Sequence, residues 1–305
     1  MNGAYDAVLF ISYGGPEGPE EVEPFLDEVL KGTPIPVSRR REVASHYERF
    51  GGVSPLNAHV RTIVADLTTE LERRSASCAV YWGNRYGRPR LAETVRRMAE
   101  DGVRSALAVT TSPFGGYIGY GRYVEAIDAA RSAVGTRAPT VDMMRRYYNH
   151  PRLIRAVGDA MLAEGGLDTF DRVIFSAHSV PSDMEDVETY TAELTETVRL
   201  VTERVGLSRS TIGYQSRSGS PQSPWLGPST ESCLRSAVEA SATRILVVPV
   251  GFVVDNMEIS YDLDVELRGV AASLGVDMAR SQTAGRHPQF PALFADLLEE
   301  RTASR

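Results

Sequence analysis

Acidic residues recur at four-residue steps after one long apolar run of this chain. The run Val247-Val248-Pro249-Val250-Gly251-Phe252-Val253-Val254 leads into Asp255-Asn256-Met257-Glu258, and Tyr261-Asp262-Leu263-Asp264-Val265-Glu266 follows. A buried strand delivering its carboxyl end into a helix start predicts Glu258, Asp262 and Glu266 stacked on one helical face. Like charges at that spacing repel, at a cost of about 0.5 to 1 kcal/mol for the strip unless solvent, protons or a cation compensate. Such carboxylates could pass protons or guide a hydrated divalent cation, since each is an oxygen ligand and a base. Two plainer accounts compete: a solvated acidic face for the strip, and a capping box from Asp255 to Glu258 for its first member.

His178 is the second candidate. It is one of five histidines and sits just past the apolar strand Val173-Ile174-Phe175-Ser176. Imidazole can take a proton or, when neutral, bind a metal near physiological pH, although a strand-end histidine also serves structure. The segments Val8 to Pro16 and Val173 to Pro181 share a strand, a serine, a polar ring and a proline, so His178 matches Tyr13. Tyr117, Tyr120 and Tyr123 lie in the glycine-rich run Pro113 to Tyr123, where a three-residue spacing would set the rings on one side of a helix start. A packed tyrosine cluster fits that run equally well. Its glycine order matches neither a dinucleotide fingerprint nor a phosphate loop. The turn Gly51 to Asn57 offers Ser54 as a donor to an anionic group, and the tryptophan and arginine in Gln215 to Pro228 mark that loop as an ordered rim.

The elements that must position these groups alternate. Ala7 to Ser12, Ala79 to Gly83, Ser105 to Thr111, Val173 to Ser176, Thr211 to Gln215 and Ile245 to Val250 read as strands. Val60 to Ser75, Leu91 to Asp101, Tyr123 to Val134, Pro151 to Glu164, Tyr190 to Val205 and Thr230 to Ala240 read as helices. That is the α/β class, a parallel sheet with helices on both faces, in two doubly wound halves. The boundary is expected where Asn149-His150-Pro151 breaks the pattern, giving domains at 1–150 and 151–285 with a C-terminal helix at 286–305 packing back on the body. In such folds ligands sit outside the carboxyl ends of the strands, where Tyr13, His178 and Glu258 all fall.

Composition narrows the function class. With 305 residues, 42% of them hydrophobic, and a net charge of -7, the chain reads as a soluble globular protein without a general nucleic-acid or anionic-membrane surface. It shows no leader-like start and no apolar run of the roughly 18 residues a membrane span needs, so a cytoplasmic protein without stable membrane insertion is expected. Cys78 and Cys233, the two cysteines, read as buried reduced thiols, too few for a zinc or iron-sulfur site.

Taken together, the segments resemble the ferrochelatase family, most closely its actinobacterial coproporphyrin branch. The resemblance rests on five ordered motifs: Ser12-Tyr13-Gly14-Gly15-Pro16-Glu17-Gly18-Pro19, the Gly51 to Asn57 turn, Phe175-Ser176-Ala177-His178-Ser179-Val180-Pro181, Gln215 to Pro228, and Val248 through Glu266. It implies two Rossmann-like domains with a cleft between them, of the class II chelatase kind. It also implies insertion of Fe(II) into coproporphyrin III to give coproheme in heme biosynthesis, with release of two pyrrole protons. By position, His178 and Glu258 are the implied metal and catalytic pair, and Tyr13 faces them across the macrocycle. Ser54 and Tyr123 are the implied ligands of its carboxylates, and Asp262 and Glu266 the outer proton or metal path. Iron is then a substrate, no cofactor is permanently bound, and no iron-sulfur cluster is expected, since the chain stops at Arg305 without a cysteine-bearing extension. A monomer is implied, in transient contact with other enzymes of heme biosynthesis.

The chain departs from the family pattern at several points. Asn256 stands where the family usually has histidine, Asp186-Val187-Glu188-Thr189-Tyr190 replaces a glycine-aspartate-x-tyrosine segment, and Leu30, Lys31 and His46 take the places of basic residues. Asparagine neither titrates near neutrality nor matches imidazole as a ligand. Two alternatives therefore stand beside the lead: a divergent chelatase for another metal or ligand, and a carrier that binds a tetrapyrrole or metal without turnover.

Overall fold

The computed structural model describes residues 5–32, 36–218 and 224–303. Contacts divide it into two units. The first holds the chain up to Thr111, Arg122–Arg145 and the segment from Pro291; the second holds Ser112–Gly121 and Arg146–Phe290. Against the expected division, the boundary falls at Arg145 rather than at 150, the tyrosine-rich run before Arg122 belongs to the second unit, and the C-terminal helix, expected from 286 to pack back on the body, joins the first unit from Pro291.

In the first unit the order is β1 (Ala7–Ser12), α1 (Pro19–Val29), α2 (Val37–Glu48), α3 (Leu56–Arg73), β2 (Ala79–Asn84), α4 (Leu91–Glu100), β3 (Ser105–Thr110), α5 (Arg122–Val134) and β4 (Thr140–Met143). The strands form a parallel sheet in the order β2-β1-β3-β4. Every residue of β1 is buried, as a central parallel strand covered on both faces requires, and each large apolar side chain there contributes about 1.5–3 kcal/mol. Leu9 and Ile11 pack with Val95 and Met98 of α4 and Ile127 of α5.

The second unit repeats the plan. It runs α6 (Pro151–Leu162), β5 (Arg172–His178), α7 (Val187–Val205), β6 (Ser210–Gln215), α8 (Thr230–Glu239), β7 (Arg244–Val248), a π-helix (Ile259–Leu267), α9 (Arg268–Ser273) and β8 (Asp277–Arg280). Its parallel sheet has the order β6-β5-β7-β8, the same as the first. The repeat glimpsed in Val8 to Pro16 and Val173 to Pro181 is thus one of whole sheets: β1 and β5 hold the same place in each, and Tyr13 and His178 stand at their carboxyl ends. The chain closes with α10 (Phe290–Ala303), whose Phe294 meets Phe10 of β1 edge to face at 5.3 Å in the first unit.

The six strands expected from apolar runs are all present, each within about two residues of its expected ends. The edge strands β4 and β8, Thr-Val-Asp-Met and Asp-Met-Ala-Arg, were not expected. Four residues of mixed polarity carry no apolar run.

Candidate active site

His178 is the last residue of β5, and its register partner on β6 is Gln215. Its ring Nδ1 hydrogen-bonds the Ser179 carbonyl, and its Nε2 lies 3.4 Å from Glu258 Oε1. Because the carbonyl can only accept, Nδ1 carries the proton in the neutral ring and the Nε2 lone pair faces Glu258. Burial alone would lower this imidazole. The Glu258 carboxylate, by charge and hydrogen bond, then the Ser179 carbonyl and the Asp262 charge, outweigh it and raise the ring to about 8. The Tyr190 hydroxyl donates to the His178 carbonyl at 2.9 Å, so the segment Asp186 to Tyr190 braces the strand end.

Glu258 arrives from the other side. After β7, the Gly251 N–H donates to the Ser176 carbonyl at 3.0 Å, and a Cβ on Gly251 would stand 2.5 Å from Ala177 Cα. Only glycine allows the chain to cross that closely beside β5. Asp255 does not close a capping box, as the sequence allowed. Its carboxylate is held by Arg286 at 2.8 Å and by the Thr283 hydroxyl at 3.2 Å. The cap is Asn256, whose Oδ1 accepts from Ile259 N at 2.9 Å. Gln215, buried beside the pair, completes the frame: its carboxamide bonds Ser176 Oγ through Oε1 and donates through Nε2 to the Glu258 carbonyl at 3.2 Å. Sequence reasoning missed this role, although a polar residue ending a strand adjacent in register to the histidine was the available signal.

The acidic strip continues along a π-helix rather than the α-helix implied by the four-residue reading. With i→i+5 bonding, residues four apart fall just short of a turn instead of overshooting it, so Glu258, Asp262 and Glu266 remain neighbours. Exposure grows along them, from Glu258 and Asp262, both partly buried, to exposed Glu266. Burial pushes the Asp262 carboxyl up and the bond from Ser216 Oγ opposes it. The Glu258 and Glu266 charges help carry it to about 7, against His178. A proton thus relieves part of the expected repulsion. Asp264, on another side of the helix, is taken by Arg280 at 2.7 and 2.9 Å.

The remaining candidates belong to the first unit, except two of the tyrosines. Tyr13 is 37% exposed and leans on Tyr86 with ring centroids 5.0 Å apart. Ser54 is 3% exposed; its hydroxyl accepts from Leu56 N at 3.4 Å, and its own N–H donates to the Pro16 carbonyl at 2.8 Å. Tyr123 is 4% exposed and shares a 3.3 Å hydroxyl contact with Thr111. Tyr117–Gly121 is a π-helical turn of the second unit, where Tyr120 lies under Arg146, and Tyr123 stands in the first turn of α5 in the first. His46 is held below its ordinary value by burial. In the described parts of the Gln215 to Pro228 loop, Trp225 bridges Pro181 and Leu226 N donates to the Val180 carbonyl at 2.9 Å, an ordered rim; residues 219–223 lie outside the described residues. Of the two cysteines expected to be buried, Cys233 is and Cys78 is only partly so; burial pushes the Cys78 thiol to about 11 and raises Cys233 as well, as in inert thiols.

A ferrochelatase family profile matches residues 5–302. A coproporphyrin III ferrochelatase of Nocardia farcinica is 42% identical over 97% of this chain and 88% of its own length. A ferrochelatase of Rhodopirellula baltica is 41% identical over 97% and 86%. A coproporphyrin III ferrochelatase of Mycolicibacterium paratuberculosis is 40% identical over 99% and 89%. Among solved structures, the sirohydrochlorin chelatase SirB from Bacillus subtilis subspecies spizizenii, in complex with cobalt, superposes with a TM-score of 0.58 over 98% of this chain and 95% of its own, at 12% identity. The likeness to that structure is one of fold.

Proposed function

Because the chain belongs to the ferrochelatase family, whose members are enzymes that insert a metal into a porphyrin, we propose that it inserts Fe(II) into coproporphyrin III and yields coproheme. The observation that carries the reading is the His178–Glu258 pair, 3.4 Å apart at the carboxyl end of β5, where ligands of open α/β sheets bind. Both side chains can meet a cation, the imidazole through its Nε2 lone pair and the carboxylate through oxygen.

The chemistry follows from the proton inventory. Insertion releases two pyrrole protons, which need a base close to the ring. His178 near 8 holds a proton against Glu258, so it must lose that proton before Nε2 can accept one or meet the cation. An approaching cation disfavours the imidazolium, and Asp262, titrating near 7, is the next acceptor on the way to exposed Glu266. Iron and porphyrin are both substrates in this scheme, with no resident cofactor, and the enzyme acts as a lyase in the cytoplasm, as a monomer in transient contact with other enzymes of heme biosynthesis. Among the described residues no helix is long and apolar enough to cross a membrane.

Anaerobic incubation of the protein with Fe(II) and coproporphyrin III, followed by the absorbance change on metallation, should show turnover. Turnover with another cation or ring but none with this pair would make it a divergent chelatase. Tight binding without turnover across metals and rings would make it a carrier.

A further inference from the structure

Tyr13 and Arg85 leave adjacent strands side by side at the carboxyl edge of the first sheet: Arg85 N donates to the Ser12 carbonyl at 2.9 Å, and Tyr86 N to the Tyr13 carbonyl at 3.0 Å. The Arg85 guanidinium carbon lies 4.9 Å from the centre of the Tyr123 ring, 5.2 Å from Tyr86 and 5.6 Å from Tyr13. Three aromatic rings therefore fix its place without neutralising its charge. Of its five N–H donors, one is used, in a 3.4 Å bond to the Tyr86 hydroxyl. Among the described residues no carboxylate pairs with it. Two other arginines of the same unit are both taken, Arg61 by Glu17 and Arg90 by Glu28.

We infer that Arg85, in its tyrosine cage, is a carboxylate-binding subsite that grips an acidic side chain of the macrocycle. The inference rests on the tetrapyrrole reading above and adds a residue to it. A planar fork with free donors matches a carboxylate in two-point geometry, and a half-exposed Tyr13 beside it offers an aromatic face to a flat ring. Ser54 and Tyr123, expected from the sequence to meet the carboxylates, are nearly covered, and Arg85 lies over the ring of Tyr123. An anion approaching Tyr123 from that side meets the guanidinium first.

The test is equilibrium binding, read by porphyrin fluorescence, of coproporphyrin III and of its tetramethyl ester to the wild-type protein, Arg85→Gln and Arg85→Lys. Arg85→Gln should weaken binding of the acid about tenfold or more and leave the ester unchanged, while Arg85→Lys, which keeps the charge but not the fork, recovers part of the loss. Equal weakening for acid and ester, or a lysine variant as weak as the glutamine one, would assign Arg85 to the packing of the tyrosines and overturn the inference. Unchanged binding of the acid by Arg85→Gln would do the same. If the wild-type protein binds neither porphyrin, the tetrapyrrole reading itself fails, and this subsite with it. Should Arg85→Gln not fold, the lysine variant and the preference of the wild-type protein for acid over ester still decide: no such preference contradicts the subsite.

Discussion

Asp262 shows how burial and neighbouring charge can favour the protonated form of a carboxyl. A carboxyl raised from 3.8 to about 7 by burial and by Glu258 and Glu266 favours the protonated folded state. Its folded value lies above its unfolded one, so its ionisation costs stability increasingly as pH rises from about 4 through 7. Asp262→Asn should therefore melt higher than the wild-type protein at pH 8, by on the order of 2 kcal/mol, and nearly alike at pH 4. Paired thermal melts at the two pH values check this; a gain that is equal at both would mean that ionisation is not the cause. His178 and Glu258 were legible at this scale because each ends or follows an apolar run, and the family resemblance tied them together. Gln215 and Arg85 were not, because what they do depends on the neighbouring strand, and a single stretch of sequence does not display strand order.

The element that carries the carboxylates was foreseen as a helix but not as a π-helix. Its buried residues Ile259, Leu263 and Leu267 step by four without a break, whereas an α-helical apolar face mixes steps of three and four. In an α-helix the third would stand about 80° around from the first. Wider winding reverses and reduces that drift, so the unbroken step was a signal that a search for ordinary helical periodicity passes over. Asn256 belongs to this element too. Its value lies in the cap it gives Ile259, which a histidine can also give: His150 Nδ1 accepts from Arg152 N at 3.2 Å and His287 Nδ1 from Gln289 N at 3.1 Å. Asn256→Ala should cost about 1 kcal/mol in chemical denaturation, while Asn256→His should stay within a few tenths of the wild-type value. A histidine variant as unstable as the alanine one would contradict the capping account.

On the scale of the whole molecule, two sheets with the same strand order place two strand-end rings, Tyr13 and His178, in equivalent positions, and the proposed metal chemistry falls to His178. The alternation of apolar runs made the central strands and the α/β class readable, since both faces of a parallel strand are covered. The short edge strands β4 and β8 and the distribution of segments between the units were not readable: four-residue strands have little apolar surface, and the place of α10 beside β1 is a contact across nearly the whole chain. The central claim is that metal enters the ring at the His178–Glu258 pair. Anaerobic metallation of coproporphyrin III by His178→Ala, run beside porphyrin binding and a thermal melt, tests it most directly. The account predicts folded protein, near wild-type porphyrin affinity and a rate of Fe(II) insertion lower by at least about 100-fold; insertion at the wild-type rate would contradict it.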